Sequence, residues 1–571
     1  MVLKTLVIFF AFIPFLVKAQ VASRFDIVIT EVMADPTPPV SLPNAEFVEI
    51  KNVSSTPFNL NGWKLSDASA TATITVNFIL QPDSIVILCS NGNVSALSIF
   101  GRTIGLSNFP SLDNDGDLVA LRSAEGKVIH AINFLMDWYQ NEVKEDGGWS
   151  LEMIDTRNPC GGMSNWKASI DPHGGTPGKN NSVDGVNADA SPPQLVRTIS
   201  LDSVTVIALF NESLDSTSMA LPSNYSFSNN VQVSSAVPQS PLFNSVVLKL
   251  SSPLQKQIVY TLTANNLQDC KGNVIGVYNK SKAGIAEEAL GNDVVINEIL
   301  FNPGPNAYDY IELYNRANKI IDANKLFTAN RNSSGALSSI KRLSESPFYI
   351  FPDDYMVVTE DDVSLQHEYL VQNPQNILVL SSLPSFPDDK GVIVLTNLQG
   401  KVVDEVSYSE KWHFALINNY EGIALERVDP NDSSQKQSNW HSAASTARYG
   451  TPTYKNSQFR QVSPVDAMIA VSPKVFSPDN DGHDDVATIG YQVSEPGYVA
   501  NVTVFDANGR LVRYLVKNAL LGLKGSWNWE GLNENGQKLP IGTYILFTEI
   551  FNLQGKKKQF RNTIVLARKL N

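Results

Sequence analysis

The sequence predicts an all-β protein, a string of four two-layer sandwiches behind a cleaved leader, and three observations carry that expectation. Charged residues are 18% of the 571, below the usual quarter, while Val, Ile, Thr, Tyr and Phe, which suit a pleated half-buried surface, are plentiful. Short alternating segments are separated throughout by Asn, Asp, Gly and Pro, the pattern of strands joined by tight turns. One ordered set of motifs also occurs twice. At roughly 100 to 200 residues per domain, the length calls for three to five separate cores. A hydrophobic content of 43% with 34 Gly and 31 Pro is that of a folded chain, neither disordered nor collagen-like.

The first element, residues 1–19, reads as an export leader. Lys4 precedes an apolar run from Leu6 to Val17, and Val17-Lys18-Ala19 offers a cleavage site. Crossing a bilayer core takes about 20 apolar residues, more than this run or any later stretch supplies. The mature chain is therefore expected to have no transmembrane segment and to be secreted or held at the cell surface. Loss of Lys4 and Lys18 lowers the 44 basic residues to 42 against 57 acidic ones, a formal charge of −15. Such a surface repels phosphate backbones, so nucleic acid is not favoured as a partner. The closing basic cluster, Lys556-Lys557-Lys558 with Arg561, Arg568 and Lys569, reads as a solvated edge hairpin. Cys89, Cys160 and Cys270 allow at most one bridge, with free buried thiols an equal alternative.

The repeat begins with Asp26-Ile27-Val28-Ile29-Thr30-Glu31, which returns as Asp293-Val294-Val295-Ile296-Asn297-Glu298. Glu46-Phe47-Val48-Glu49-Ile50 answers to Asp309-Tyr310-Ile311-Glu312-Leu313, Ser150-Leu151-Glu152 to Ala424-Leu425-Glu426, Ser164-Asn165-Trp166 to Ser438-Asn439-Trp440, and Gly175-Thr176-Pro177 to Gly450-Thr451-Pro452. The first copy also has a turn and strand at Leu60-Asn61-Gly62-Trp63-Lys64-Leu65, where the second reads Asp322-Ala323-Asn324-Lys325-Leu326-Phe327. Trp166 and Trp440 hold the same place in both copies, which favours core packing over sugar stacking. Core packing is also favoured for Trp527 and Trp529, two apart on one strand.

These motifs resemble the lamin-tail domain, an immunoglobulin-like β-sandwich found in nuclear lamins and in many secreted bacterial proteins. The resemblance implies one such domain at 21–182 and a second at 290–462. Between them, residues 183–289 open on Ala190-Ser191-Pro192-Pro193. With Phe210-Asn211-Glu212-Ser213-Leu214-Asp215 and Asp269-Cys270-Lys271-Gly272-Asn273, they are similar to bacterial Ig-like spacers. Residues 466–571 carry Val475-Phe476-Ser477-Pro478-Asp479, Val504-Phe505-Asp506-Ala507-Asn508-Gly509, Trp527-Asn528-Trp529 and Gly542-Thr543-Tyr544. They are similar to C-terminal Ig-like domains related to the flagellar hook-cap protein and to gliding-motility and type IX secretion sorting domains of Bacteroidetes. That similarity implies a sorting or anchoring role, with type IX secretion or outer-membrane machinery as a partner. Asn508-Gly509 suits a hairpin turn, and Pro540 to Tyr544 a turn into a closing strand.

Candidate chemistry is confined to two acidic loops. Asp113, Asp115 and Asp117, and Asp479, Asp481, Asp484 and Asp485, place carboxylates at alternate positions around a Gly-containing turn, as calcium coordination requires. Neither loop has the downstream bidentate Glu of an EF-hand, and a plain turn is the competing reading. Glu46 and Glu49, like Asp309 and Glu312, are three apart on a strand and so face opposite ways. Glu31 and Glu298, inside apolar strands, are expected to be hydrogen-bonded structural groups. The six histidines, His130, His173, His367, His413, His441 and His483, fall in no H-E-x-x-H motif, and no G-x-S-x-G, Walker loop or C-x-x-C occurs. The expected function is therefore non-enzymatic: a surface-displayed modular protein whose sandwich loops bind a partner protein or a glycan. No cofactor beyond calcium is implied. The alternative is a metal-dependent hydrolase or nuclease, or an accessory to one, that uses the acidic loops.

Overall fold

A computed structural model describes residues 21–415, 417, 419–459, 468–479, 483–553 and 556–568. The leader, the linker near Ser463 to Asp466, Asp481 and Lys569 lie outside the described residues. Nearly all regular structure is strand, with helix limited to short turns of three to seven residues. The chain divides into two compact units, Met1–Pro253 with Tyr260–Ala283, and Leu254–Val259 with Gly284–Asn571.

In the first unit, one sandwich packs a six-stranded sheet on a four-stranded one. The six strands run Trp166–Ala168, Leu151–Met153, Ile27–Met33, Phe47–Asn52, Ile85–Ser90 and Thr103–Leu106, the last pair parallel. The four are Val128–Leu135, Gly116–Arg122, Lys64–Ser66 and Thr71–Thr73. Alternation sends Ile29, Val48, Ile50, Val86 and Leu88 inward against Leu65, Leu121, Phe134 and Trp166. All seven residues of Ile27–Met33 are buried, which a strand solvated on one face cannot be. Its outer face is covered too, partly by a second apolar cluster of Met33, Phe47, Ile87 and Leu97 and partly by the chain around Gly175-Thr176-Pro177. Residues 195–283 form a four-stranded sheet, Leu195–Ser200, Thr205–Phe210, Ser245–Leu250 and Val233–Pro238, and a three-stranded one, Tyr225–Phe227, Tyr260–Ala264 and Lys280–Ala283.

The second unit repeats the first sandwich strand for strand. Its six-stranded sheet runs Trp440–Ser442, Leu425–Arg427, Val294–Leu300, Tyr310–Asn315, Tyr355–Thr359 and Ile377–Val379, again with a parallel last pair. Its four-stranded sheet is Val402–Ser409, Lys390–Asn397, Leu326–Arg331 and Leu337–Arg342. Even the bulge recurs, between Ile29 and Glu31 and between Ile296 and Glu298. Where the turns differ in sequence they differ in form. Gly62 at φ +85° sits in a turn closed by Trp63 N–H to Leu60 O at 3.0 Å. Ala323–Lys325 is a single 3-10 turn capped by Asp322, whose Oδ1 accepts from Asn324 N at 3.1 Å.

The remaining sheets of this unit are a small one of Ala286–Glu287, Ile320–Asp322 and Tyr349–Ile350 and, near the C-terminus, a pair in which Met468–Ser472, Ala487–Gln492 and Lys524–Trp529 face Val475–Phe476, Lys557–Leu566, Gly542–Asn552, Tyr498–Asp506 and Leu511–Leu520. Trp529 is fully buried in their core, while Trp527 is half-buried with its ring 4.6 Å from that of Tyr491. Gly509, at φ +76°, makes the hairpin between Asp506 and Leu511. The turn from Pro540 leads into Gly542–Asn552, a central strand. The strand that closes the chain is Lys557–Leu566, because one more hairpin intervenes.

Candidate functional site

The strand order brings together six acids that the sequence scatters. Glu31 lies opposite Glu49 on one side and Glu152 on the other, and Glu298 lies likewise between Glu312 and Glu426. All six are fully buried. In the first sandwich, Glu31 Oε1 accepts from Ser150 Oγ at 2.5 Å and Thr176 N at 2.8 Å. Glu49 accepts from Thr30 Oγ1 at 2.8 Å and Gly178 N at 2.7 Å. Glu152 accepts from Thr176 Oγ1 at 2.9 Å, Ser182 Oγ at 2.7 Å and Val183 N at 3.1 Å. In the second, Glu298 accepts from the Tyr310 hydroxyl and from Thr451 N and Oγ1, the last at 2.6 Å. Glu312 accepts from Asn297 Nδ2 at 2.8 Å and Thr453 N at 2.6 Å, and Glu426 from Thr451 Oγ1, Ser457 Oγ and Gln458 N.

Each trio thus binds one stretch of chain, Gly175 to Val183 or Gly450 to Gln458, and holds it as a latch over the sheet. The Gly of Gly-Thr-Pro is required by space: a Cβ on Gly175 would stand 2.6 Å from Glu31 Oε1, and one on Gly450 2.6 Å from the Tyr369 ring. The Thr serves two acids at once with its N–H and its hydroxyl. Burial is the leading cause that pushes Glu49 and Glu426 up to about 8, with neighbouring glutamates adding to it. Burial and like charge raise Glu31 and Glu312 well above the carboxylate range, and burial raises Glu298. Glu46 and Glu49 do face apart, as the spacing predicts: Glu46 accepts from Leu112 N at 3.2 Å, beside the acidic loop. The partners of Glu49 on other strands are what a within-strand comparison misses. The signal that was present is Glu152 recurring as Glu426 in the repeat.

In the first acidic loop Asp113 and Asp115 are exposed, while Asp117 is buried and closes its own turn, accepting from Leu118 N at 2.7 Å and Asp113 N at 3.4 Å. In the second, Asp479 and Asp484 are exposed and Asp485 half-buried; Ser477 donates its N–H to Asp484 O at 2.8 Å and its hydroxyl to Asp479 at 3.2 Å. Neither loop brings three carboxylates within 4.8 Å of one another among the described residues. Asp189, Glu212 and Asp269 do meet at that distance. There Asp269 already accepts from Lys271 N, Asn273 N and Asn273 Nδ2, which makes it the organiser of a turn.

Two of the histidines, His130 and His413, are likewise buried in the fold. His130 Nδ1 accepts from Ile29 N at 2.8 Å and Nε2 donates to Pro159 O at 2.9 Å, so the ring is neutral, and burial pushes it down to about 4. His413 Nδ1 is 2.9 Å from Ser442 Oγ, but both side chains are buried and the hydroxyl also accepts from Phe414 N. A nucleophile in that position has no access to substrate.

Of the three thiols, Cys160 and Cys270 form a disulfide with Cα atoms 6.1 Å apart, and Cys89 is free and buried. The bridge settles the open pairing and ties residues 21–182 to the sheets of residues 195–283. A second tie is Arg24, whose guanidinium lies between the rings of Phe25 and Phe243 and donates to Leu214 O at 2.7 Å and Ser213 Oγ at 2.5 Å. Between the two ties lies a cleft of about 390 Å³ lined by Phe25, Trp138, Asn133, Asn211, Glu212 and Asn244.

A family model, the Lamin Tail Domain, matches residues 20–135. No curated protein matches the chain. Among solved structures, the N-terminal part of the bacterial S-layer protein SbsC is 13% identical with a TM-score of 0.16, over 38% of this chain and 44% of that one. A DUF4876 family protein from Bacteroides thetaiotaomicron is 12% identical at 0.17, over 33% and 78%. PorZ from Porphyromonas gingivalis, a surface component of the type IX secretion system, is 10% identical at 0.17, over 79% and 56%. The chain spans less than half of the S-layer fragment it matches. Superpositions this loose transfer no ligand or partner to this chain.

Proposed function

We propose that this is an exported, surface-displayed, non-enzymatic modular protein that binds a partner protein or a glycan. The observation that carries the reading is the Cys160–Cys270 bridge. Disulfides persist in oxidising compartments and are rare in the cytosol, so a bridge between two modules agrees with the leader at 1–19. Lamin-tail identity for 290–462 rests on the shared motifs and strand order, and a sorting or attachment role for 466–571 on its resemblance. Binding is assigned to the cleft between the two ties, where Asn133 and Asn244 present carboxamides with no side-chain partner among the described residues. A metal-dependent hydrolase using the acidic loops is not favoured, because neither loop brings three carboxylates within 4.8 Å of one another among the described residues.

The test is a pull-down of proteins and glycans from intact cells with the mature chain, beside a chain carrying Asn133→Lys and Asn244→Lys. Saturable capture lost in the double variant supports the reading. Capture of nothing, or metal-dependent hydrolysis lost on Asp479→Ala, refutes it.

A further inference from the structure

We propose that the Cys160–Cys270 bridge makes residues 160–270 a length of chain that tension on the ends of the protein cannot extend. The two cysteines are 110 residues apart in sequence and 6.1 Å apart between Cα atoms. Force entering from the N-terminal side runs through Ile27–Met33 and Leu151–Met153 to Cys160, crosses the sulfur bridge, and leaves at Cys270. The covalent path is the shortest one, so the enclosed loop stays slack whether or not it is folded.

What the loop encloses gives the bridge its consequence. Six of the seven strands of the sheets of residues 195–283, Leu195–Ser200 through Tyr260–Ala264, lie within it, and Lys280–Ala283 alone lies beyond. Also enclosed are the closing strand Trp166–Ala168 and the latch from Gly175 to Val183. The first sandwich's carboxyl latch is therefore relieved of tension along the chain. The second sandwich has no such shunt. Counting back six residues from Trp440, as Cys160 stands from Trp166, gives Ser434, whose hydroxyl turns inward to Asp404 at 2.5 Å. Its latch from Gly450 to Gln458 lies in the line of force to the C-terminal sheets and is held by hydrogen bonds and packing, with no covalent bypass.

This use of the bridge on a cell surface rests on the proposed display, but the mechanical property does not. The test is single-molecule stretching of the mature chain between N- and C-terminal handles, oxidised and then reduced with a phosphine, with Cys270→Ser alongside. At 3.3–3.6 Å per extended residue, the oxidised chain should reach full extension ~36–40 nm short of both others. Full extension does not depend on whether Cys270→Ser folds natively. Arg24→Ala should lower the force of an early event and leave the deficit intact, because that tie is non-covalent. Equal lengths in oxidised and reduced chain, or a deficit that persists in Cys270→Ser, would overturn the proposal and leave surface display untouched.

Discussion

The two sandwiches keep one strand order and one carboxyl latch, yet they solve the same local problem with different side chains. In each, a bulge in the central strand leaves a backbone N–H facing the opposite sheet, where a buried donor must find an acceptor. In the first, Ile29 N–H goes to neutral His130. In the second, Ile296 N–H goes to Asp404 Oδ2 at 2.8 Å, whose charge is met by Arg427 at 3.2 Å, both side chains being almost fully buried. Arg427 occupies the place of Met153, and Ser434 that of Cys160. One copy thus uses a neutral ring and sends its loop outward as a crosslink, while the other builds an internal ion pair and keeps its loop at home. The conserved part is the backbone's demand, and the variable part is the group that meets it.

The largest expected effect separates the copies by their crosslink. By loop entropy a bridge closing 110 residues is worth about 5 kcal/mol. Reduction should therefore lower the denaturant midpoint of the first unit and leave that of the second unchanged, read from tryptophan fluorescence of each unit; equal shifts in both would break the comparison.

Next comes the ion pair. Arg427→Met leaves Asp404 buried without its cation and should cost about 3–5 kcal/mol. Adding Asp404→His, which rebuilds the first copy's chemistry, should recover much of that loss in a thermal melt. No recovery would mean that the two solutions are not interchangeable.

A smaller effect is shared by both copies. Glu49 and Glu426 are raised in the folded state, so the stability they contribute is complete below about pH 4.5 and is lost as pH rises through about 8. His130 acts oppositely: its folded value is lowered to about 4, so its contribution is present above about pH 6.5 and lost as pH falls through 4. Stability should fall from pH 6.5 to 8, and Glu49→Gln should flatten the slope of the first unit alone. A melting temperature flat across that range would contradict the buried-acid account.

The smallest effect concerns the acidic loops. Asp115→Asn should change stability by less than about 0.5 kcal/mol, as exposed substitutions do. Millimolar calcium should not alter that difference, since the loop is already closed by Asp117. A calcium-dependent rise in melting temperature that Asp115→Asn abolishes would assign calcium to the first loop.

Much of this molecule was legible as text. Period-two alternation, Asn-Gly and Gly-Pro punctuation and the repeated motifs mark the strands, the hairpin at Gly509 and the two matching sandwiches, because such signals are local and need no knowledge of neighbours. They place Trp166, Trp440 and Trp529 in cores for the same reason. Tertiary structure alone decided which strands lie side by side. Glu31, Glu49 and Glu152 meet because their strands are adjacent in one sheet, and Cys160 meets Cys270 because two modules dock. Nothing within 10 residues of any of these reveals its partner. Local chemistry sets which way a side chain points, whereas the group it meets depends on strand order and on contacts between residues far apart in sequence.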